Sequence, residues 1–153
     1  MVGPEVEKTA LVRHCVRMFN TGANLSVPMF TLIIRKSYGL GAQAMCGASS
    51  MVPFFATAWP TAEFAGMNIE GGIKLAYRRD FEAMDDPEER KEKYETMVAD
   101  GYEEARAVNK GVYFGIDDVI DPAESRKWIA AGFRSLPPTP PREKKKRPYI
   151  DTW

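Results

Sequence analysis

A glycine turn at residues 39–41 is the part of the sequence best suited to chemistry. An apolar run at residues 29–34 precedes it and small residues fill 42–48, so the pattern predicts a buried parallel strand, a turn and a tightly packed helix. The first N–H groups of a helix have no intrahelical acceptor and lie at the positive end of its dipole. The turn could therefore bind a phosphate, hold an oxyanion that forms during a reaction, or simply pack tightly.

Nucleotide binding and side-chain catalysis have less support. The turn lacks the third glycine of G-x-G-x-x-G, a Walker lysine and an acid after a following strand. His14, the sole histidine, is expected to be a partly buried helix residue, and Cys15 and Cys46 have no local catalytic partner. The acids of residues 80–104 indicate a solvated helix face, and those of residues 117–121 indicate turns and caps. We therefore expect a site made of backbone amides, with no metal.

The composition is that of a globular domain. Of 153 residues, 44% are hydrophobic, and 21 basic side chains balance 21 acidic ones, which argues against binding to nucleic acid or to a membrane surface. No run approaches the ~18 apolar residues of a membrane span, and the first residues do not resemble an export signal. Two cysteines are too few for a disulfide framework, so we expect a cytoplasmic protein, or a mitochondrial matrix protein in a eukaryote.

Periodicity and end signals predict the elements that position the turn. A helix over residues 5–21 is expected to bury Leu11, Cys15, Met18 and Phe19 and to end before Gly22. Further elements are strands at 54–59, 63–67 and 112–115, and helices at 69–81, from Asp86 to about Lys110, and from Asp121 to about Phe133. The helix that starts at Asp86 is expected to present Tyr94, Met97, Val98, Tyr102, Ala105 and Val108 to the core.

The predicted sheet is short of strands. The apolar run at residues 29–34 is typical of a central strand with neighbours on both sides, yet only about four short strands can be found. We therefore expect an incomplete α/β domain over residues 1–136 whose remaining strands come from elsewhere. Residues 137–153, rich in proline and basic residues, are expected to form an extended or disordered tail. Its last six residues are expected to pack on a neighbouring subunit.

Three segments together resemble a known family. They read RKSYGLGA at residues 35–42, AWPTAE at 58–63 and IDDVIDPAESR at 116–126, and GPEVEKT at 3–9 adds to them. In this order and spacing they resemble the C-terminal part of the carboxyltransferase (β) subunit of biotin-dependent acyl-CoA carboxylases, of the acetyl-CoA and propionyl-CoA carboxylase type. The resemblance implies a crotonase-like ββα superhelix, here present only in part.

The resemblance also implies which residues form the site. The backbone amides of Leu40 and Gly41 would form an oxyanion hole that stabilises charge on the biotin ureido oxygen as the carboxyl group leaves. Gly39 and Ala42 would line the substrate site, and Gln43 would help to shape the acyl pocket. Many family members have Gly where Leu40 stands and a bulky aromatic where Ala42 stands, so the acyl substrate is left open.

The implied cofactor is biotin, carboxylated on a separate carrier domain or subunit, and the implied substrate is an acyl-CoA. The implied partners are a carboxyltransferase N-domain or full-length subunit, a biotin carboxylase and biotin carrier protein, and further copies in a homo-oligomer. The isolated chain is then expected to be inactive. The alternatives are a catalytically inert fragment or assembly module, and a crotonase-type acyl-CoA hydratase, isomerase or decarboxylase.

Overall fold

The computed structural model describes residues 3–47, 51–138, 140, 141, 143, 149 and 150. Its helices are α1 (Pro4–Glu7), α2 (Leu11–Ala23), α3 (Gly39–Met45), α4 (Ile69–Ala76), α5 (Arg78–Glu82), α6 (Pro87–Ala105), α7 (Ala107–Lys110) and α8 (Ser125–Ser135). Its strands are β1 (Phe30–Ile33), β2 (Lys36–Tyr38), β3 (Phe55–Ala58), β4 (Glu63–Ala65) and β5 (Asp118–Val119). Short 3-10 turns span Gly111–Phe114 and Pro122–Glu124.

The strands form two small parallel sheets. One has the order β1-β3-β5, with Phe30 opposite Phe55 and Thr57 opposite Asp118. The other pairs β2 with β4 and places Lys36 opposite Glu63. Within the described residues, β1 pairs only with β3. The α/β class with parallel strands is confirmed, and the most apolar strand is an edge strand with one neighbour.

The core is built from small side chains around β3. All four residues of β3 are buried, and Ala58, Ala62, Phe64 and Ala107 form a buried cluster. The Ala107 N–H donates to the Ala62 carbonyl over 2.8 Å. Alanines let these backbones approach closely, so the segment after β3 is held against the start of α7 by a main-chain hydrogen bond.

The N-terminal helix differs from the prediction. Periodicity predicts one helix over residues 5–21, but α1 and α2 are separated at Ala10, which has a φ of 58°. The N–H and hydroxyl of Thr9 both donate to the Val6 carbonyl, and this tight turn ends α1. Met18, predicted to be buried, is 43% exposed. Gly22 lies inside α2 rather than beyond its end.

The middle helices follow the sequence signals closely at their starts. Asp86 caps α6, since its Oδ1 accepts from the Glu88 N–H at 2.9 Å as the Asp-Pro signal predicts. The helix predicted over residues 69–81 is instead broken at Tyr77 into α4 and α5. The backbone turns at Arg106, where ψ is 141°. Val108, predicted to be buried, is therefore carried to the surface and is 55% exposed.

The strand predicted at residues 112–115 is wrong. That segment is a 3-10 turn followed by Gly115 with a φ of 73°. The strand that joins the sheet is β5, which begins three residues later. The Asp117 N–H donates to the Ala56 carbonyl, and Asp117 Oδ2 accepts from the Ala56 N–H, both over 2.7 Å. The Asp117 side chain thus bounds the pairing of β3 with β5 at the start of β5. A hydrophobicity pattern cannot reveal such a contact.

Much of the tail, including Trp153, lies outside the described residues. The hydroxyls of Tyr149 and Thr21 are 3.0 Å apart, so Tyr149 contacts α2 of its own chain. Ile150 is 83% exposed. The predicted packing of this segment on a neighbouring subunit stays a prediction.

Candidate functional site

The predicted glycine turn is the first turn of α3. Strand β2 ends at Tyr38, which has extended backbone at the N-cap position and makes no side-chain cap hydrogen bond. The N–H groups of Gly39, Leu40 and Gly41 follow, and first-turn N–H groups have no intrahelical acceptor. The Leu40 residue is 53% exposed. The predicted amide pair therefore lies at an accessible, uncapped helix start.

Gly39 is required by the geometry of this start. Its φ is +57°, a left-handed conformation, and a β-carbon there would lie 2.8 Å from the carbonyl oxygen of Gly66. Gly41, in contrast, has an ordinary φ and nothing within 4 Å of the position of a β-carbon. The first glycine positions the helix against the residue after β4, and the second leaves open space beside the amides.

A tyrosine–carboxylate pair ties β2 to β4 directly before α3. The Tyr38 hydroxyl donates to Glu63 Oε2 over 2.5 Å. Burial, and after it the hydrogen bond to Glu63, raise the pKa of Tyr38 above its ordinary value. The Lys36 ammonium lies 5.7 Å from the centre of the Tyr38 ring. The pair holds both strands in register where the chain enters the site.

A second tyrosine–carboxylate pair, Tyr102 and Glu70, joins α6 to α4. The Tyr102 hydroxyl donates to Glu70 Oε1 over 2.6 Å, and the Asn68 amide donates to Glu70 Oε2 over 2.7 Å. The Tyr102 hydrogen bond is the main cause that lowers the pKa of Glu70, and the same bond raises the pKa of Tyr102. These contacts fasten α6 to α4.

A cavity of about 230 Å³ adjoins the start of α3. It brings together four of the five predicted site residues, and its walls also include residues of β1, β3 and β4. The lining is Ile33, Ser37, Gly39, Leu40, Ala42, Gln43, Cys46, Ala56, Phe64, Ala65, Gly66 and Ile116. Gly41, the fifth predicted residue, lines a separate groove of about 650 Å³ along β1, and Ala42 lines that groove as well. Ala42 therefore borders both spaces.

Other sequence candidates lie elsewhere. His14 is exposed, not partly buried as predicted, and lines a cleft of about 740 Å³ beside α2. Asp118 Oδ1 accepts from the Val119 N–H and Asp121 Oδ1 from the Ala123 N–H, which are the predicted turn and cap roles. In the described part of the chain, no three His, Cys, Asp or Glu residues are grouped to hold a metal ion, and no helix is long and apolar enough to cross a membrane.

Three residues at the site make contacts that the sequence alone does not indicate. Tyr38 was part of a quoted motif, but its partner Glu63 is 25 positions away and only the strand pairing reveals the contact. Gly66 lies at the site because its carbonyl oxygen is 2.8 Å from the position that a β-carbon on Gly39 would take, a backbone contact that any residue at position 66 could make. Because a backbone carbonyl makes this contact, no residue type in the sequence indicates it.

The chain matches the model of one protein family, the carboxyl transferase domain, over residues 1–148. The chain belongs to this family. Among curated relatives it is 33% identical over 138 residues to the carboxyltransferase subunit of propionyl-CoA carboxylase from Haloferax mediterranei. That match covers 88% of this chain and 25% of the relative, so the chain spans about a quarter of its length.

Solved structures agree with this assignment. A single-chain, multi-domain long-chain acyl-CoA carboxylase is 46% identical, with a TM-score of 0.72 over 86% of this chain and 12% of that one. The hexameric transcarboxylase 12S, solved with methylmalonyl-CoA, is 26% identical, with a TM-score of 0.75 over 97% of this chain and 29% of that one. The fold is therefore that of a crotonase-like carboxyltransferase domain, present in part, as the motifs predicted.

Proposed function

We propose that this chain forms the biotin-side part of a carboxyltransferase site. The complete site would move a carboxyl group from carboxybiotin to the α-carbon of an acyl-CoA, such as acetyl-CoA or propionyl-CoA. The observation that carries the proposal is the accessible start of α3, within a chain that matches the carboxyl transferase family over residues 1–148. Its backbone amides suit this chemistry because carboxyl transfer from a urea group develops negative charge on the urea carbonyl oxygen, and N–H donors stabilise that charge.

The residues present fit the carbonyl oxygen of a urea group. The N–H groups of Leu40 and Gly41 are successive donors at an uncapped helix start, and no β-carbon crowds Gly41. When bound, carboxybiotin supplies the carboxyl group. The amides would hold its ureido oxygen and orient it, at no cost in side-chain entropy. Removing one such donor typically costs about 3–4 kcal/mol of barrier.

The groups around the amides keep this start rigid. Gly39 rests on the Gly66 carbonyl, and the Tyr38–Glu63 hydrogen bond fixes the strand that leads into α3. The first contact joins α3 to the residue after β4 and the second joins β2 to β4, so the amides are set by two strands rather than by a free loop. A preorganised donor pair needs no rearrangement when charge develops.

We further propose that the other part of the site comes from a carboxyltransferase N-domain or a full-length subunit. The chain spans about a quarter of its curated relative, and within the described residues β1 has one free edge. A biotin carboxylase and a biotin carrier protein would then be functional partners, and a homo-oligomer would complete the assembly, in line with the hexamer formed by the transcarboxylase 12S.

The test compares the chain alone with a completed enzyme. Residues 1–148 would replace the matching segment of the transcarboxylase 12S subunit, and decarboxylation of methylmalonyl-CoA by free biotin would be followed in the chimera and in the isolated chain. We expect activity in the chimera and none in the isolated chain. Equal activity in the isolated chain would contradict the shared site.

The same chimera separates the proposal from an assembly module. A chimera that folds and assembles but does not release CO2 would contradict carboxyl transfer and favour the module. A chimera that hydrates or isomerises an enoyl-CoA at a rate above its carboxyl transfer would favour a crotonase-type activity of another kind. The unmodified 12S subunit is the control for assembly.

A further inference from the structure

We propose that the 230 Å³ cavity beside α3 binds the hydrocarbon tail of an acyl-CoA longer than propionyl-CoA. This inference rests on the proposed function for the identity of its ligand as an acyl chain. The site itself is defined by the shape and lining of the cavity, which do not depend on biotin chemistry.

The cavity has a buried end and an exposed rim. Ala56 and Phe64 are each 2% exposed and Cys46 is 6% exposed, and these residues close the inner end. Leu40, 53% exposed, stands at the rim together with the exposed Gly66. An elongated apolar group could therefore enter from solvent and reach the core between β3 and α3.

The size of the cavity matches a hydrocarbon chain of several carbons. An apolar cavity of about 150 Å³ is enough to bind benzene, and this one is about 230 Å³. Three alanines, Ala42, Ala56 and Ala65, contribute to its lining and keep it open. Acetyl and propionyl groups are too short to fill such a space.

The rim coincides with the proposed reaction site. Gly39 and Leu40 belong both to the cavity wall and to the first turn of α3 that carries the amides. A chain bound in the cavity would therefore leave its α-carbon side near those amides. The long-chain acyl-CoA carboxylase that is 46% identical to this chain accords with such a substrate.

The test uses short and longer carboxylates as probes of the cavity. Butyrate and octanoate would be titrated into the 15N-labelled chain and followed by amide chemical shifts. Burial of each methylene strengthens binding by about fourfold, so octanoate, with four more methylenes, should bind about 250-fold tighter than butyrate. Its shifts should centre on Leu40, Ala56 and Phe64. Equal binding of the two probes, or shifts centred on other surfaces, would overturn the proposal.

Two variants fill the cavity from different elements. Ala42→Phe on α3 and Ala65→Leu on β4 should each weaken octanoate binding at least tenfold. Ala131→Phe, at an exposed position of α8, is the matched control and should bind like the original chain. If either filling variant retains its fold and full octanoate affinity, the assignment of the cavity is wrong.

The outcome is separable from that of the proposed function. The titration contains neither biotin nor coenzyme A, so a failure of carboxyl transfer in the chimera would leave an octanoate site standing. Conversely, the chimera could transfer carboxyl groups to propionyl-CoA while the chain binds octanoate no more tightly than butyrate. That pair of results would remove this inference alone.

Discussion

The carbonyl oxygen of Gly66 lies 2.8 Å from the position that a β-carbon on Gly39 would take. The contact joins the end of β4 to the first residue of α3, and Gly39 also has a left-handed φ of +57°. Backbone packing against backbone thus sets where the helix begins. The amides proposed to act in catalysis are the next two along the chain.

Gly39→Ala should destabilise the chain and displace this helix start. A left-handed φ costs a non-glycine residue about 1–2 kcal/mol, and the contact with Gly66 adds to it. Urea unfolding should show the loss, whereas Gly41→Ala, two residues further on, should unfold at nearly the original urea concentration because its β-carbon meets nothing. Equal stability of the two variants would contradict the role of Gly39.

Gly22→Ala should disrupt the contact between α2 and the end of α3. A β-carbon on Gly22 would lie 2.4 Å from the carbonyl carbon of Gly47, and backbone cannot move aside as a side chain can. Overpacking of this kind costs about 1–3 kcal/mol, measurable as a lower midpoint in urea. Gly66→Ala, where a β-carbon meets nothing within 4 Å, is the control. An unchanged midpoint for Gly22→Ala would mean that the two helices pack less closely.

The sequence predicted the strand, glycine turn and helix because their signals are local. The start of α6 at Asp86 was also predicted, since an Asp-Pro pair caps a helix by contacts within three residues. The amide site at Leu40 and Gly41 came from the resemblance, and the structure brings its neighbours Ala42 and Gln43 to one cavity with Gly39. The catalytic role of the amides stays a prediction.

What the sequence did not reveal depends on contacts between distant residues. The Asp117 carboxylate accepts a hydrogen bond from the backbone of Ala56, 61 positions away. This contact places β5 later in the chain than the apolar residues suggest. The Tyr38–Glu63 bond likewise requires the β2–β4 pairing. Val108 continues the apolar period of α6, but the backbone turn at Arg106 carries it outward.

Tyr38→Phe should reduce the loss of stability at alkaline pH. The folded state raises the pKa of Tyr38 above its ordinary 10.0, so the unfolded chain releases this proton first. The contribution of Tyr38 to the free energy of unfolding is complete below pH 10.0 and is lost as the pH rises above that value. Urea unfolding at neutral and alkaline pH should show a smaller loss for the variant. Tyr113→Phe, at an 84% exposed position, should lose as much as the original chain; identical losses in all three proteins would contradict the prediction.

Tyr102→Phe should raise the pKa of Glu70. The Tyr102 hydroxyl is the main group that lowers this pKa in the folded chain, so the stability that Glu70 contributes is present above its ordinary 4.5 and is lost as the pH falls. NMR titration of the Glu70 carboxyl should show the increase, with Tyr113→Phe as the control. A Glu70 pKa that is the same in both variants would contradict the dominant role of the hydrogen bond.

The most direct measurement of the central claim is the carboxyl-transfer rate of the chimera with Gly41→Pro and with Gly41→Ala. Proline removes the Gly41 N–H, whereas alanine keeps it and meets no neighbour. We expect Gly41→Pro to lower kcat about 10²–10³-fold with assembly intact, and Gly41→Ala to stay near the original rate. Replacing the same amide by an ester removes the N–H without a proline ring and should give a similar loss. If all of these chimeras assemble and transfer carboxyl groups at the original rate, the amides do not stabilise the reacting oxygen.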